Sequence, residues 1–235
     1  AIVTSVDLDH MDYIGDDRES IGWEKAGIFR SGKPGVCSDA NPPRRLLEHA
    51  AQIGADLKLI GKDFVARPDS SQWLFASRDG WQLALPFPAL RGSYQLDNAS
   101  ACLAALETLK ERLPVTPDDI RRGLLEATVP GRFQVLPGRP AVILDVAHNP
   151  HAARALAANL RQMGRGGRTI AVFAVLADKD VDGVVAALKD VIDLWLVSGI
   201  GHPRGMSATA LAAHMAGTAH EVFPDIAAAY RHACQ

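Results

Sequence analysis

The stretch AVILDVAHNPHAARALAANLRQM, residues 141–163, decides the fold. A β-branched, apolar run leads into polar residues and then into a segment whose apolar side chains recur at helical spacing, which predicts a buried strand followed by a helix. Asn149 and Pro150 stand where an N-cap and a first helical residue are expected. The junction between strand and helix therefore carries Asp145 and His148.

The same alternation continues to the C-terminus. Strands are predicted in TIAVFAVL, DLWLVS and HEVF, and helices in VDGVVAALKDVI, SATALAAHMAG and DIAAAYRHA. Four strand and helix pairs in succession predict a mostly parallel sheet covered by helices. Residues 138–235 are thus expected to form an α/β domain.

A different organisation precedes it, and the Pro-Gly pairs at 130–131 and 137–138 indicate a boundary that assigns residues 1–137 to a first domain. Its first sixty residues alternate between strand and helix patterns. Residues 62–90 contain short aromatic or β-branched runs broken by turn residues, which predicts a small antiparallel sheet. The helices expected in this domain cover Glu19–Phe29, RRLLEHAAQIG, Asn98–Leu109 and residues 117–127.

Composition and charge limit the classes of partner that the protein is expected to bind. The chain has 48% apolar and 22% charged residues and a formal charge of −2, which predicts a folded protein with no electrostatic attraction to nucleic acid or anionic membranes. No apolar run approaches the ~20 residues that span a bilayer. The three cysteines have no disulfide or zinc spacing, and this favours the reducing cytoplasm. Small-molecule partners are therefore expected.

The junction at Asp145 has two interpretations. Capping by Asn149 explains part of the pattern, but it does not explain an ionisable residue within VILDVA or a histidine three positions later. Ligands of open parallel sheets bind at the carboxyl ends of strands, where these residues are predicted to lie. The pattern favours a ligand site.

Four motifs carry a resemblance to a known family. They are DVAHNPHA at 145–152, the stretch VDLDHMDYIGDDRESIGWEKAGIFRSGKP at 6–34, YQLDNASACLAAL at 94–106 and PGRFQV at 130–135. The first resembles the hallmark of the Mur ligase superfamily, and the second resembles its folylpolyglutamate synthase and dihydrofolate synthase branch. The resemblance implies the C-terminal part of a central ATPase domain followed by a Rossmann-like C-terminal domain.

The resemblance also implies roles for single residues. His10 would bind Mg²⁺, and Lys25 would be a carbamate that bridges metal ions and serves catalysis, although an exposed helix lysine is otherwise the plain interpretation. Among the remaining residues, Asn98 would contact ATP, Arg132 its phosphates and Asp145 its ribose. For Asn98 the alternative is an N-cap or first-turn residue without a ligand, and for Arg132 it is a surface arginine.

His148 would lie beside the nucleotide and is the second catalytic candidate. The implied reaction is ATP-dependent ligation of L-glutamate to dihydropteroate or to the glutamyl tail of folate through an acyl phosphate. A cytoplasmic monomer is expected.

The sequence departs from the family in lacking the Gly-rich Lys-Ser/Thr loop that cradles ATP phosphates. The chain is therefore expected to be a fragment that is inactive alone, with its last strands also missing. Two alternatives stay open: a peptidoglycan-precursor amino-acid ligase, and a non-catalytic nucleotide-binding module of the same fold. A dinucleotide-dependent oxidoreductase would need a glycine fingerprint that the sequence does not contain.

Overall fold

A computed structural model of the protein describes residues 1–7, 17–164 and 166–235. The chain forms two compact units, Ala1–Val129 and Pro130–Gln235. The second unit begins at Pro130 rather than at the predicted residue 138. Strand pairing explains the difference, because Gln134–Leu136 forms a hairpin with Val142–Leu144 and so belongs with the residues that follow.

The first unit opens with a parallel sheet of three strands in the order β1, β2, β3: β1 is Ile2–Val3, β2 is Pro34–Cys37 and β3 is Asp56–Leu59. Helices α1 (Arg18–Ala26) and α2 (Arg44–Gln52) pack against each other beside it. The alternation predicted for this region is confirmed. Helix α1 ends at Ala26 with Gly27 as its C-cap, a little before the predicted end at Phe29.

The antiparallel sheet predicted for residues 62–90 is also present. Strands β4 (Phe64–Pro68), β5 (Trp73–Ser77) and β6 (Gln82–Leu85) pair in that order. Trp73 and Phe75 are fully buried, and they pack with helix α3 (Ser93–Thr108). A buried aromatic layer therefore joins this sheet to the helices.

Helix α3 begins at Ser93, five residues before the predicted start at Asn98. The prediction relied on the apolar stripe that starts at Ala99, but the first turns are polar and still helical. Gln95 in those turns is buried, so tertiary packing stabilises helical structure that hydrophobic periodicity could not reveal. Helix α4 (Pro117–Glu126) matches its prediction.

The described residues of the second unit form two sheets. Strands β7 (Gln134–Leu136) and β8 (Val142–Leu144) form the antiparallel hairpin, and β9 (Ile170–Phe173), β10 (Leu194–Ser198) and β11 (His220–Phe223) form a parallel sheet in the order β11, β10, β9. The helices of this unit are α5 (Pro150–Met163), α6 (Val181–Leu188), α7 (Ala208–Ala213) and α8 (Ile226–Ala233).

The predicted α/β class is confirmed, and three of the four predicted strands form the parallel sheet with β10 buried at its centre. The fourth prediction was wrong in its details. Strand β8 pairs with β7 in an antiparallel hairpin, and Leu144 is 43% exposed. A run of apolar residues does not reveal which strand it pairs with.

Candidate nucleotide site

The candidate site of the second unit lies where β8 leads into α5. Asn149 caps this helix, since its Oδ1 accepts the Ala152 amide at 2.8 Å, and Pro150 is the first helical residue. The capping prediction is confirmed. Free amide groups at a helix N-terminus favour anionic ligands, so the capped end is compatible with a phosphate-containing partner.

Asp145 follows β8 directly and binds two backbone amides. Its Oδ2 accepts the Phe133 amide at 2.8 Å, and its Oδ1 accepts the Ala147 amide, also at 2.8 Å. These bonds explain how an ionisable residue can lie at the end of an apolar strand, because charge-assisted hydrogen bonds to backbone N–H groups compensate the partial burial of the Asp145 carboxylate. Sequence reasoning missed this structural role, since Phe133 lies 12 residues away.

Arg132 lies in a tight turn whose two other residues have left-handed backbones. Gly131 has φ of 72°, and Phe133 has φ of 46°. Such a conformation costs a residue other than glycine about 1–3 kcal/mol. The burial of Phe133 and its amide bond to Asp145 offset this cost. The turn thereby holds Arg132 with its side chain exposed.

His148 lies on the same segment, and its Nδ1 is 2.9 Å from the carbonyl oxygen of Val146. A carbonyl oxygen only accepts, so Nδ1 carries the proton and Nε2 of the neutral ring is left as an acceptor. The amide of Val146 donates to the Gly131 carbonyl at 2.9 Å. Hydrogen bonds to Asp145 and Val146 thus link the backbone segments that carry Arg132, Asp145 and His148.

Asn98 belongs to the first unit and lies in the second turn of α3, past the N-cap and first turn. Its Nδ2 donates to Oε1 of Gln95 at 3.2 Å. Beside it is a cavity of about 290 Å³ between α3 and α4. The lining is mainly apolar and includes Leu103, Leu106, Ile120 and Leu124. Asn98 is thus a partly buried amide at the edge of an apolar cavity.

Lys25 lies in the last turn of α1 and is exposed. The described residues, which leave out 8–16 and 165, contain no cluster of three or more His, Cys, Asp or Glu side chains that could hold a metal. His10 lies outside the described residues. The described part therefore holds no ready-made cluster of three such ligands near Lys25.

An unpredicted network joins the residues that flank segment 8–16. Arg18 donates from Nε to the Val6 carbonyl at 2.8 Å and from a terminal nitrogen to Oδ2 of Asp39 at 3.1 Å. The same carboxylate oxygen accepts the Val6 amide at 2.7 Å. Asp39 is 7% exposed and lies two residues after the end of β2. A polar residue just after a strand was the sequence signal that could have identified it.

Within the described residues, no helix is both long and apolar enough to cross a membrane. Comparison with known families matches residues 131–235 to the Mur ligase, glutamate ligase domain. This match begins within two residues of Pro130, where the second compact unit begins.

A curated relative and two solved structures extend the comparison. The chain is 41% identical over 215 residues to the dihydrofolate synthase/folylpolyglutamate synthase of Escherichia coli (strain K12), an alignment covering 92% of this chain and 50% of that protein. It is similar to E. coli FolC in complex with DHPP and ADP, with a TM-score of 0.91, 40% identity and coverage of 99% of this chain and 54% of the other.

The second structure is a bifunctional folylpolyglutamate synthase/dihydrofolate synthase with Mn, AMPPNP and L-glutamate bound. Its TM-score is 0.85, its identity 38%, and the match covers 99% of this chain and 55% of the other. The chain therefore spans about half the length of the relatives that it matches. Residues 131–235 thus match the Mur ligase, glutamate ligase domain, and the chain as a whole is similar in sequence and fold to dihydrofolate synthase/folylpolyglutamate synthase.

Proposed function

We propose that this chain is part of an ATP-dependent ligase that adds L-glutamate to dihydropteroate, to the glutamyl tail of folate, or to both. One observation carries the proposal. The backbone segments that carry Arg132, Asp145 and His148 are joined by hydrogen bonds just before α5, inside the region that matches the glutamate ligase domain. A cation, a carboxylate and a histidine at a helix N-terminus are suited to bind a nucleotide.

Arg132 is proposed to bind the ATP phosphates, because its guanidinium is exposed and presents several donors in one plane. Asp145 is proposed to accept a ribose hydroxyl. His148 is proposed to lie beside the nucleotide and to take part in catalysis, with Nε2 available because Nδ1 is occupied by the Val146 carbonyl. The E. coli relative was solved with ADP, which supports a nucleotide ligand for this family.

Asn98 is the proposed nucleotide contact of the first unit. Its amide is partly exposed beside an apolar cavity, and an amide at an apolar surface can recognise a nucleobase edge while the base packs on the side chains. The hydrogen bond that Asn98 donates to Oε1 of Gln95 fixes the orientation of the Asn98 amide.

Mg²⁺ is the proposed metal, with His10 and carbamylated Lys25 as its ligands. A relative contains Mn together with AMPPNP, which supports a divalent cation in the family. A carbamate would give Lys25 the oxygen ligands that hard cations prefer. The described residues hold no cluster of three or more His, Cys, Asp or Glu side chains that would complete this metal site.

The proposed reaction has two steps. A substrate carboxylate attacks the γ-phosphorus of ATP, giving an acyl phosphate and releasing ADP. The amine of L-glutamate then attacks the acyl carbon, forming the amide and releasing inorganic phosphate. Reactions of this kind depend on holding phosphates and acceptor in line and on neutralising charge, which are roles for Arg132 and the α5 N-terminus. The enzyme is proposed to act as a cytoplasmic monomer.

A chimaera tests the proposal. This chain replaces the matching half of the E. coli dihydrofolate synthase/folylpolyglutamate synthase, and ADP release is measured with ATP, Mg²⁺, dihydropteroate and L-glutamate. We expect release that depends on both acceptor and glutamate. Lys25→Ala is expected to abolish it, whereas Lys33→Ala, another exposed lysine, is expected to retain it.

Two results would count against the proposal. A folded chimaera whose ADP release is independent of glutamate and pterin would indicate another amino-acid ligase. A chimaera that binds ADP without releasing any product would indicate a non-catalytic module.

A further inference from the structure

The backbone on both sides of Arg132 is tied to the end of β8. On one side the Gly131 carbonyl accepts the Val146 amide at 2.9 Å. On the other side the Phe133 amide donates to Oδ2 of Asp145 at 2.8 Å. Arg132 therefore lies between two anchors that belong to consecutive residues of one segment.

The conformation of this turn depends on those anchors. Gly131 has φ of 72°, and a Cβ there would lie 2.8 Å from Cγ1 of Val146, so only glycine fits. Phe133 adopts φ of 46° although it has a side chain. A backbone in this region persists only where its surroundings enforce it, and the Asp145 carboxylate supplies one such restraint.

His148 is held by the same segment. The Val146 amide binds the Gly131 carbonyl, and the Val146 carbonyl receives Nδ1 of His148 at 2.9 Å. The second oxygen of Asp145 accepts the Ala147 amide at 2.8 Å, directly before His148. One carboxylate thereby fixes the backbone beside Arg132, the proposed phosphate ligand, and beside His148.

We propose that Asp145 is a positioning residue that acts on phosphate binding through Arg132, by holding the Gly131–Phe133 turn against the end of β8. This inference rests on the proposed phosphate role of Arg132 and extends it. It differs from the ribose role proposed for Asp145, because loss of the carboxylate should weaken binding of phosphates that carry no ribose at all.

The test titrates inorganic tripolyphosphate into the 235-residue chain by calorimetry, without pterin, glutamate or metal. Arg132→Ala is expected to weaken binding by about tenfold, the effect of losing one charge-assisted contact. Asp145→Asn keeps the shape but replaces one oxygen with an NH₂ group that cannot accept an amide proton. We expect it to reproduce most of the Arg132→Ala defect.

The double variant shows whether the two residues act together. If Asp145 works through Arg132, Asp145→Asn adds almost nothing in the Arg132→Ala background, since coupled residues are not additive. Gly131→Ala disrupts the same turn without touching either side chain and should also weaken tripolyphosphate binding. Its control is Gly217→Ala, at φ of 80° with open surroundings in the same unit.

Asp225→Asn provides the control for stability. Asp225 accepts the Ala228 amide at 2.7 Å at the start of α8 and so loses a similar bond. Its unfolding midpoint is expected to fall while its tripolyphosphate affinity stays at the wild-type value. If Asp145→Asn loses tripolyphosphate affinity and Asp225→Asn does not, the loss is due to the altered position of Arg132 and not to general destabilisation.

Three outcomes would overturn the inference. Asp145→Asn could keep wild-type tripolyphosphate affinity while losing affinity for adenosine, which would make it a ribose ligand only. Its effect could add fully to that of Arg132→Ala. The wild-type chain could also bind tripolyphosphate no better than Arg132→Ala does. The proposed ligase activity is tested separately, because the chimaera assay reads product formation and this titration does not.

Discussion

At the residue scale, several carboxylates of this protein bind backbone amides and not side-chain cations alone. Asp145 accepts amides from Phe133 and Ala147, and Asp39 accepts those of Val6 and Asn41. An ionised carboxylate satisfies amides that would otherwise lack a partner at strand and helix ends. Composition alone does not reveal this amide-binding role, because it does not distinguish Asp145 and Asp39 from other acidic residues.

Glu19 gives a prediction of pH dependence. Its carboxylate accepts the Arg45 amide at 2.8 Å and the Arg44 amide at 3.1 Å, so a residue of α1 caps α2. The N-cap residue of α2, Pro43, makes no capping hydrogen bond through its side chain. These bonds, the Arg45 bond above all, hold the pKa of Glu19 below its ordinary value. Ionised Glu19 therefore stabilises the folded chain above the unfolded pKa of about 4.3.

This stabilisation is lost as the pH falls through the lower folded pKa. We expect Glu19→Gln to lower Tm at pH 7 and the difference from wild type to shrink as the pH is lowered below about 4. Thermal unfolding monitored by circular dichroism between pH 3 and 7 measures this. Glu48→Gln, which removes only an exposed pair with Arg44 at 3.1 Å, should change Tm little. A Glu19→Gln deficit that is constant with pH would contradict the prediction.

At the element scale, the approach of α1 to α2 depends on a residue without a side chain. Gly22 lies in the middle of α1, and a Cβ there would lie 2.5 Å from Cβ of Pro43. Glycine normally weakens a helix interior by about 0.5–1 kcal/mol relative to alanine. Close packing of the two helices is thus obtained at the expense of helix propensity.

Gly22→Ala is expected to destabilise the chain by about 1–3 kcal/mol, because the cost of overpacking exceeds the gain in helix propensity. Gly123→Ala is the matched variant, since Gly123 is in α4 and a Cβ there meets nothing within 4 Å. It should stabilise the chain by about 0.5–1 kcal/mol. Urea unfolding with an unchanged m-value measures both. Stabilisation by Gly22→Ala would show that α1 and α2 separate easily.

At the scale of the whole molecule, the candidate site residues are distributed over both units. The first, Ala1–Val129, carries Lys25 and Asn98, and the second, Pro130–Gln235, carries Arg132, Asp145 and His148. Within these 235 residues there is no Gly-rich Lys-Ser/Thr loop to hold ATP phosphates. The chain also spans about half the length of its relatives.

We therefore predict that the isolated chain releases no ADP from ATP above the buffer blank, even with Mg²⁺, dihydropteroate and L-glutamate. A coupled assay for ADP measures this, with the chimaera described above as the positive control. Release by the isolated chain that grows with enzyme concentration would contradict the prediction, and would require a phosphate cradle other than the expected loop.

The sequence by itself determined the order of elements, since periodicity and capping depend on neighbours along the chain. Helix α5 was predicted from 150 to 163 with Asn149 as its cap, and the structure agrees. The tertiary structure decided the pairing of β8 with β7, the early start of α3 and the bonds from Asp145 to Phe133. Those features depend on contacts between residues distant in sequence, about which a local pattern carries no information.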